Sequence, residues 1–454
     1  MARKSNWKTG ILFCLVLGVL SGGACAVVAQ AATAGPASRA AVARAAAHKK
    51  VAAKSVGAKS VGARATAKTR STAARTSRVA TTASRTHIAT AGVKTSAVFH
   101  QTSGRGKTSE GARAVLAVRR TRSSSYERFT ASSFTDNLTL GDVTAGEDPV
   151  VRQAAIDALG NMNGTALAID PSSGRILAMV NQKLALSSGA EPCSTIKLAV
   201  GLAALDEGLV TRDTPVNLGG HYTVNLTKAL ALSINPYFET LGRMLGFERV
   251  KHYANMFGLG ELAGYNIQGE QLGVYPDTEL PAAQGGVGRM CSFGESISMT
   301  PLQLGALVSA IANGGTLYYL QHPQTAGEIA AFEPKVKRIL DIAPLIPEMH
   351  DGMEGAVNYG TARSLRANFH EFPVLGKTGT CSNNGTRFGW FASYAETPSG
   401  RIVTVIFLEG GRPTFGPKAA ELTGAFYRGL WDRNYFEPKT AQMAAAYRSG
   451  RANP

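Results

Sequence analysis

The stretch EPCSTIKLAVG, Glu191–Gly201, decides how this chain is read. A serine stands three residues before a lysine, on what reads as the opening turn of an apolar helix. Positions three apart share a helix face, so Ser194 and Lys197 point the same way. A hydroxyl beside an amine is either a nucleophile with its base or a coincidence, because S-x-x-K alone is common in chains of this length. Its meaning depends on what the rest of the sequence brings to it.

Two further stretches bear on it. ALSINPYF (Ala231–Phe238) carries Ser233 and Asn235, and LGKTGTCS (Leu375–Ser382) carries Lys377, Thr378, Gly379 and Thr380. Each has a plain alternative: Ser233 as a helix cap, Lys377 as a solvated charge at a strand end. Together and in this order, S-x-x-K, S-x-N and K-T-G form the signature set of penicillin-recognising serine acyl-transferases.

The local patterns place these motifs. DPVVRQAAIDALG has helical spacing, with Asp148 as N-cap and Gly160 as stop. TALAID and ILAMVNQ read as strands around the turn Pro171–Gly174, a hairpin. Further helices are expected around Asn235–Leu245, Pro301–Asn313 and Met353–Ser364. KTGT is placed just before the strand GWFASYAE (Gly389–Glu396), which is followed by RIVTVIFLEGG as a strand and KAAELTGAFYRGLW as a closing helix. The order predicts an α/β fold: one antiparallel sheet, assembled from both ends of the domain and sandwiched by helices.

From about Asp148 to Trp431 the chain resembles the transpeptidase domain of penicillin-binding proteins, part of the β-lactamase-like superfamily. The segments Met299–Tyr318, Ala356–Ala362 (AVNYGTA) and Gly389–Glu396 resemble those flanking the motifs in that family. The resemblance implies a D,D-transpeptidase that acylates Ser194 with D-Ala-D-Ala stem peptides of peptidoglycan, or with β-lactam antibiotics. Lys197 would serve as base, since an unassisted hydroxyl is a poor nucleophile. An ordinary lysine has a pKa of about 10.4, and burial beside a second cation would lower it. That cation, by resemblance, is Lys377, which also attracts the substrate carboxylate. Ser233 would pass a proton to the leaving amine, and Asn235 would orient Lys197. Thr378 and Thr380 would bond the carboxylate, with Gly379 between them. Backbone N–H groups of Ser194 and Thr380 would form the oxyanion hole. No cofactor or metal is implied.

The remainder is bounded by composition. The chain has 454 residues, 44% hydrophobic content and a formal charge of +17, yet no acidic residue precedes Glu110. Arg3, Lys4 and Lys8 stand before an apolar run, and Ala29-Gln30-Ala31 fits a cleavage site, so residues 1–31 read as a secretory signal. The run Gly10–Ala29 is also long enough for an uncleaved membrane anchor, and Cys25 for lipid attachment. Either way the chain is expected to be exported, to the periplasm or the outer face of the membrane. Residues 32–147 are read as a disordered basic segment rich in Ala, Ser, Thr, Lys and Arg, with KSVGA repeated at Lys54–Ala58 and Lys59–Ala63. Behind an export signal it suits anionic wall polymer or a membrane surface rather than nucleic acid, or it is a spacer. The folded domain is expected over 148–437, with a tail at 438–454. With no glycosyltransferase region recognisable, a separate glycan polymerase is an expected partner.

Cys193 precedes the nucleophile and Cys381 follows KTGT. Some carbapenem-hydrolysing class A β-lactamases resemble this arrangement and join the two positions, which implies a Cys193–Cys381 disulfide; small buried thiols are the alternative. Cys291 would stay single, where the family usually carries a Gly-rich turn. Two rival functions remain open. A D,D-carboxypeptidase or β-lactamase would hydrolyse the acyl-enzyme, although no E-x-x-L-N loop is present and Glu261–Asn266 has the wrong spacing. A β-lactam sensor would keep the acyl group without turnover, and a catalytically idle wall-binding module would form none.

Overall fold

The computed structural model describes residues 128–437; the expected leader, most of the basic segment and the tail lie outside the described residues. Helix α1 (Pro149–Leu159) starts where Asp148 accepts from the N–H groups of Val150 and Val151, and it ends at Gly160. Strands β1 (Gly164–Asp170) and β2 (Arg175–Val180) form the expected hairpin, with Asp170 opposite Arg175. A 3-10 turn, Cys193–Ile196, then feeds α2 (Lys197–Asp206). The principal elements continue as α3 (Leu226–Ala231), α4 (Asn235–Leu245), α5 (Gly286–Phe293), α6 (Pro301–Asn313) and α7 (Ile346–Asn358). The chain closes with β3 (Val374–Asn383), β4 (Thr386–Thr397), β5 (Gly400–Gly410) and α8 (Gly416–Asp432).

The five strands form one antiparallel sheet in the order β2-β1-β5-β4-β3. Both ends of the domain therefore meet at its centre, where β1 pairs β5 with Leu167 opposite Val405. Strand alternation divides the core into two layers. On β5, Val403, Val405 and Phe407 face the layer that holds α2, α4 and α6, while Ile402, Ile406 and Leu408 face α1 and α8. The apolar α2 is buried along almost its full length, so both its ends are held in place by the core. No helix among the described residues is long and apolar enough to cross a membrane.

Two expectations are corrected. Packing starts before Asp148: Thr130 donates its N–H to Gly385, the Ser133 hydroxyl meets that of Thr414, and Arg152 pairs with Asp142 and Glu147 at 2.7 and 2.8 Å. This stretch docks through buried charges and hydroxyls, which composition reads as solvated chain. The helix expected over Met353–Ser364 begins at Ile346 and stops at Asn358; beyond it the Thr361 N–H donates to the Ala231 carbonyl instead of continuing the helix, an approach so close that a Cβ on Gly360 would lie 2.1 Å from that oxygen. KTGT precedes the GWFASYAE strand, which lies within β4, and itself belongs to β3, the edge of the sheet.

Candidate active site

The 3-10 turn and α2 set Ser194 and Lys197 on one face, and Lys197 Nζ lies 2.7 Å from Ser194 Oγ. The same Nζ lies 2.5 Å from Asn235 Oδ1, 3.1 Å from Ser233 Oγ and 3.2 Å from the Ser233 carbonyl oxygen. Ser233 sits in the loop between α3 and α4 at φ 56°, a left-handed conformation uncommon for a side-chain-bearing residue. It caps no helix: Ile234 holds the N-cap position of α4, and the Ser233 hydroxyl turns to the two lysines. Asn235 is the first residue of α4 and points its oxygen back at Lys197.

Lys377 enters from β3. It is fully buried rather than solvated, with Nζ 2.8 Å from Ser233 Oγ and 3.1 Å from the Thr378 carbonyl oxygen. Burial lowers its pKa to about 7. Lys197 is also held well below the ordinary lysine range, first by burial and then by the charge of Lys377, with Glu239 opposing. A neutral Lys197 has two N–H groups for the two pure acceptors, Asn235 Oδ1 and the Ser233 carbonyl. Its lone pair is then left for a hydroxyl proton. The arrangement is a serine at hydrogen-bond distance from an amine whose pKa burial and a second cation hold well down, which is what an acyl-transfer nucleophile requires.

Gly379 lets β3 approach the nucleophile turn, since a Cβ there would come 2.8 Å from the Pro192 carbonyl oxygen. Thr378 Oγ1 lies 2.6 Å from Thr361 Oγ1, and Thr380 Oγ1 accepts the Gly416 N–H at 2.8 Å. Cys193 and Cys381 form a disulfide across the same gap, with their Cα atoms 5.5 Å apart. Cys291 is a buried free thiol on α5, not part of a turn, and burial pushes it up to about 12. Glu261, the nearest sequence hint of a deacylating loop, is paired with Lys337 and Arg338 instead.

All eight motif residues thus gather at one place. Two neighbours went unread in the sequence. Glu191, three residues before the nucleophile, has its carboxyl raised to about 7 by burial and by Glu295. It borders a cavity of about 460 Å³, also lined by Ser296, Ser298, Asn383, Phe388 and Glu409. Thr361 lay within the quoted AVNYGTA, but nothing in its spacing announced a contact with Thr378.

Comparison with known proteins gives the same fold. Residues 164–428 match the model of the penicillin binding protein transpeptidase domain. Stage V sporulation protein D of Bacillus subtilis is 28% identical over 62% of this chain and 51% of its own length. Peptidoglycan D,D-transpeptidase MrdA of Acinetobacter baumannii is 24% identical over 62% and 52%. The chain thus spans about half the length of these two relatives. Among solved structures, the TP domain of Burkholderia pseudomallei penicillin-binding protein 3 has the same fold, with 21% identity and a TM-score of 0.55 over 64% of this chain and 96% of that one. The family match contains the whole five-stranded sheet together with the turn, loop and strand that carry Ser194, Ser233 and Lys377, and this chain belongs to the penicillin binding protein transpeptidase domain family.

Proposed function

We propose that this chain is a D,D-transpeptidase that cross-links peptidoglycan through an acyl-enzyme on Ser194. The observation that carries the reading is the 2.7 Å approach of Lys197 Nζ to Ser194 Oγ beside a second buried lysine. Neutral Lys197 takes the hydroxyl proton as Oγ attacks the carbonyl of the penultimate D-Ala. The amide bond to the terminal D-Ala breaks, and Ser233 passes a proton from the lysine pair to the leaving nitrogen. An amine of a second stem peptide then attacks the ester, which returns the proton to Ser194 and completes the cross-link. Backbone N–H groups of Ser194 and Thr380 hold the oxyanion. Lys377, Thr378 and Thr380 receive the terminal carboxylate, and Asn235 keeps Lys197 in place.

The relatives' names and the motif geometry support the reading. The export-type leader and the disulfide support action outside the cytoplasm, where disulfides persist. A separate polymerase would supply the glycan strands, and the basic segment would hold the domain near anionic wall polymer or membrane.

The test is incubation with fluorescent penicillin, with bound label followed over hours and Ser194→Ala as control. Persistent, Ser194-dependent label that turns over faster when a stem-peptide amine is supplied is the expected result. Label lost within seconds would make the chain a hydrolase. Label that persists whatever acceptor is offered would favour a β-lactam sensor.

A further inference from the structure

We infer that Thr361 is a positioning residue for carboxylate recognition: its hydroxyl fixes the direction in which Thr378 donates. The inference rests on the proposed role of Thr378 as a ligand of the substrate carboxylate. Thr361 follows α7, and two contacts fasten its segment to both halves of the site. Its N–H donates to the Ala231 carbonyl at 3.1 Å, at the end of α3 and just before Ser233. Gly360 packs on that same carbonyl so closely that no Cβ fits. On the other side, Thr361 Oγ1 lies 2.6 Å from Thr378 Oγ1, and the Thr378 residue is 4% exposed.

A hydroxyl carries one proton. Thr378 therefore cannot donate to Thr361 and to a carboxylate at once. When Thr361 donates, the Thr378 oxygen is occupied as acceptor and its proton is left for the ligand. Thr380 meets the same requirement by other means: its oxygen accepts the Gly416 N–H, which leaves its proton free as well. Both threonines are then preset as donors by a partner on another element, a backbone amide for Thr380 and a side-chain hydroxyl for Thr378. Ordering the donor before the ligand arrives is what makes such a bond strong toward a charged group.

The experiment compares benzylpenicillin with its methyl ester, which lacks the charged carboxylate, and reads Ser194 acylation rates by mass spectrometry. In Thr361→Val the acid should react about tenfold more slowly while the ester changes by less than about twofold. Thr361→Ser, which keeps the hydroxyl, should restore the acid to within about threefold of wild type. In a Thr378→Val background, Thr361→Val should leave the acid-to-ester ratio unchanged, because the partner it orients is gone. Equal losses on acid and ester in Thr361→Val, or no loss on the acid, would overturn the inference, as would a further fall of the ratio in the double variant. A wild-type protein that takes no label at Ser194 would instead overturn the proposed function, so the two failures are distinct.

Discussion

The Nζ of Lys377 lies 2.8 Å from the Oγ of Ser233, and that single hydroxyl is also 3.1 Å from Lys197 Nζ. Two buried lysines therefore share one hydroxyl, and each makes protonation of the other less favourable. Acylation needs Lys197 neutral to act as base and Lys377 charged to hold a carboxylate.

The acylation rate should therefore trace a bell against pH. It rises as Lys197, held below its ordinary range by burial and by Lys377, loses its proton, and it falls as Lys377 deprotonates at about pH 7. Lys377→Met should slow acylation by penicillin roughly a hundredfold, with loss of a charge-assisted contact. It should also move the rising limb to higher pH, since the cation that depresses Lys197 is gone, and remove the falling limb. Stopped-flow acylation across the pH range checks this; an unmoved rising limb would mean that burial alone sets Lys197.

Stability should depend on the same group. An unfolded lysine titrates near 10.4, whereas folded Lys377 titrates at about 7. Below the folded value both states are protonated and the cost of burying the charge is present in full. Between the two values the unfolded chain binds a proton that the folded chain lacks, so stability rises with pH, by up to about 1.4 kcal/mol per pH unit. Urea unfolding between pH 7 and 9 should show wild type gaining on Lys377→Met. Parallel curves for the two proteins would contradict the buried, depressed lysine.

Gly379→Ala tests the closeness of β3 to the nucleophile turn. The added Cβ would stand 2.8 Å from the Pro192 carbonyl oxygen and 3.2 Å from Trp390 Cβ. Backbone rather than a flexible side chain must give way, which moves Ser194 relative to Lys377. Acylation should drop about a hundredfold, as misplacement by about an ångström does, while unfolding free energy falls by about 1–3 kcal/mol for overpacking. Unchanged acylation would show that strand and turn separate freely.

Much of this was legible in the residues. Asp148 at the start of α1 and the near-continuous apolar run Ile402–Leu408 of β5 marked their elements, because caps and apolar runs are local signals. The three motifs named their site in advance. What the sequence concealed was non-local. Lys377 taken alone reads as a solvated charge at a strand end, and only its burial in the edge strand beside the nucleophile turn depresses its pKa. Ser233 reads as a cap until its left-handed backbone turns it toward two lysines. The Arg152 pairs with Asp142 and Glu147 anchor a stretch that composition alone assigns to the disordered basic segment. Thr361 shows the same limit, since its contact with Thr378 depends on a glycine closing against the Ala231 carbonyl.

The disulfide carries the last prediction. Cys193 has φ 52°, a region where a side chain costs about 1 kcal/mol relative to glycine. The bond to Cys381 spans 188 residues of sequence, so in the chain-entropy view it contributes up to about 5 kcal/mol by restricting the unfolded state. Removing the partner with Cys381→Ser loses that restriction and leaves Cys193 strained beside the nucleophile. In that background, Cys193→Gly should recover about 1 kcal/mol of unfolding free energy, because glycine adopts the conformation freely. Cys193→Ala should recover none, since alanine keeps the strain and loses the sulfur contacts. The same order should appear in acylation, with the glycine variant faster, because the turn that aims Ser194 at Lys197 relaxes only when its left-handed residue is unstable. Denaturant unfolding and penicillin labelling of the three variants check this, and equal values for glycine and alanine would show that the left-handed backbone at Cys193 is imposed by the bond and relaxes without it.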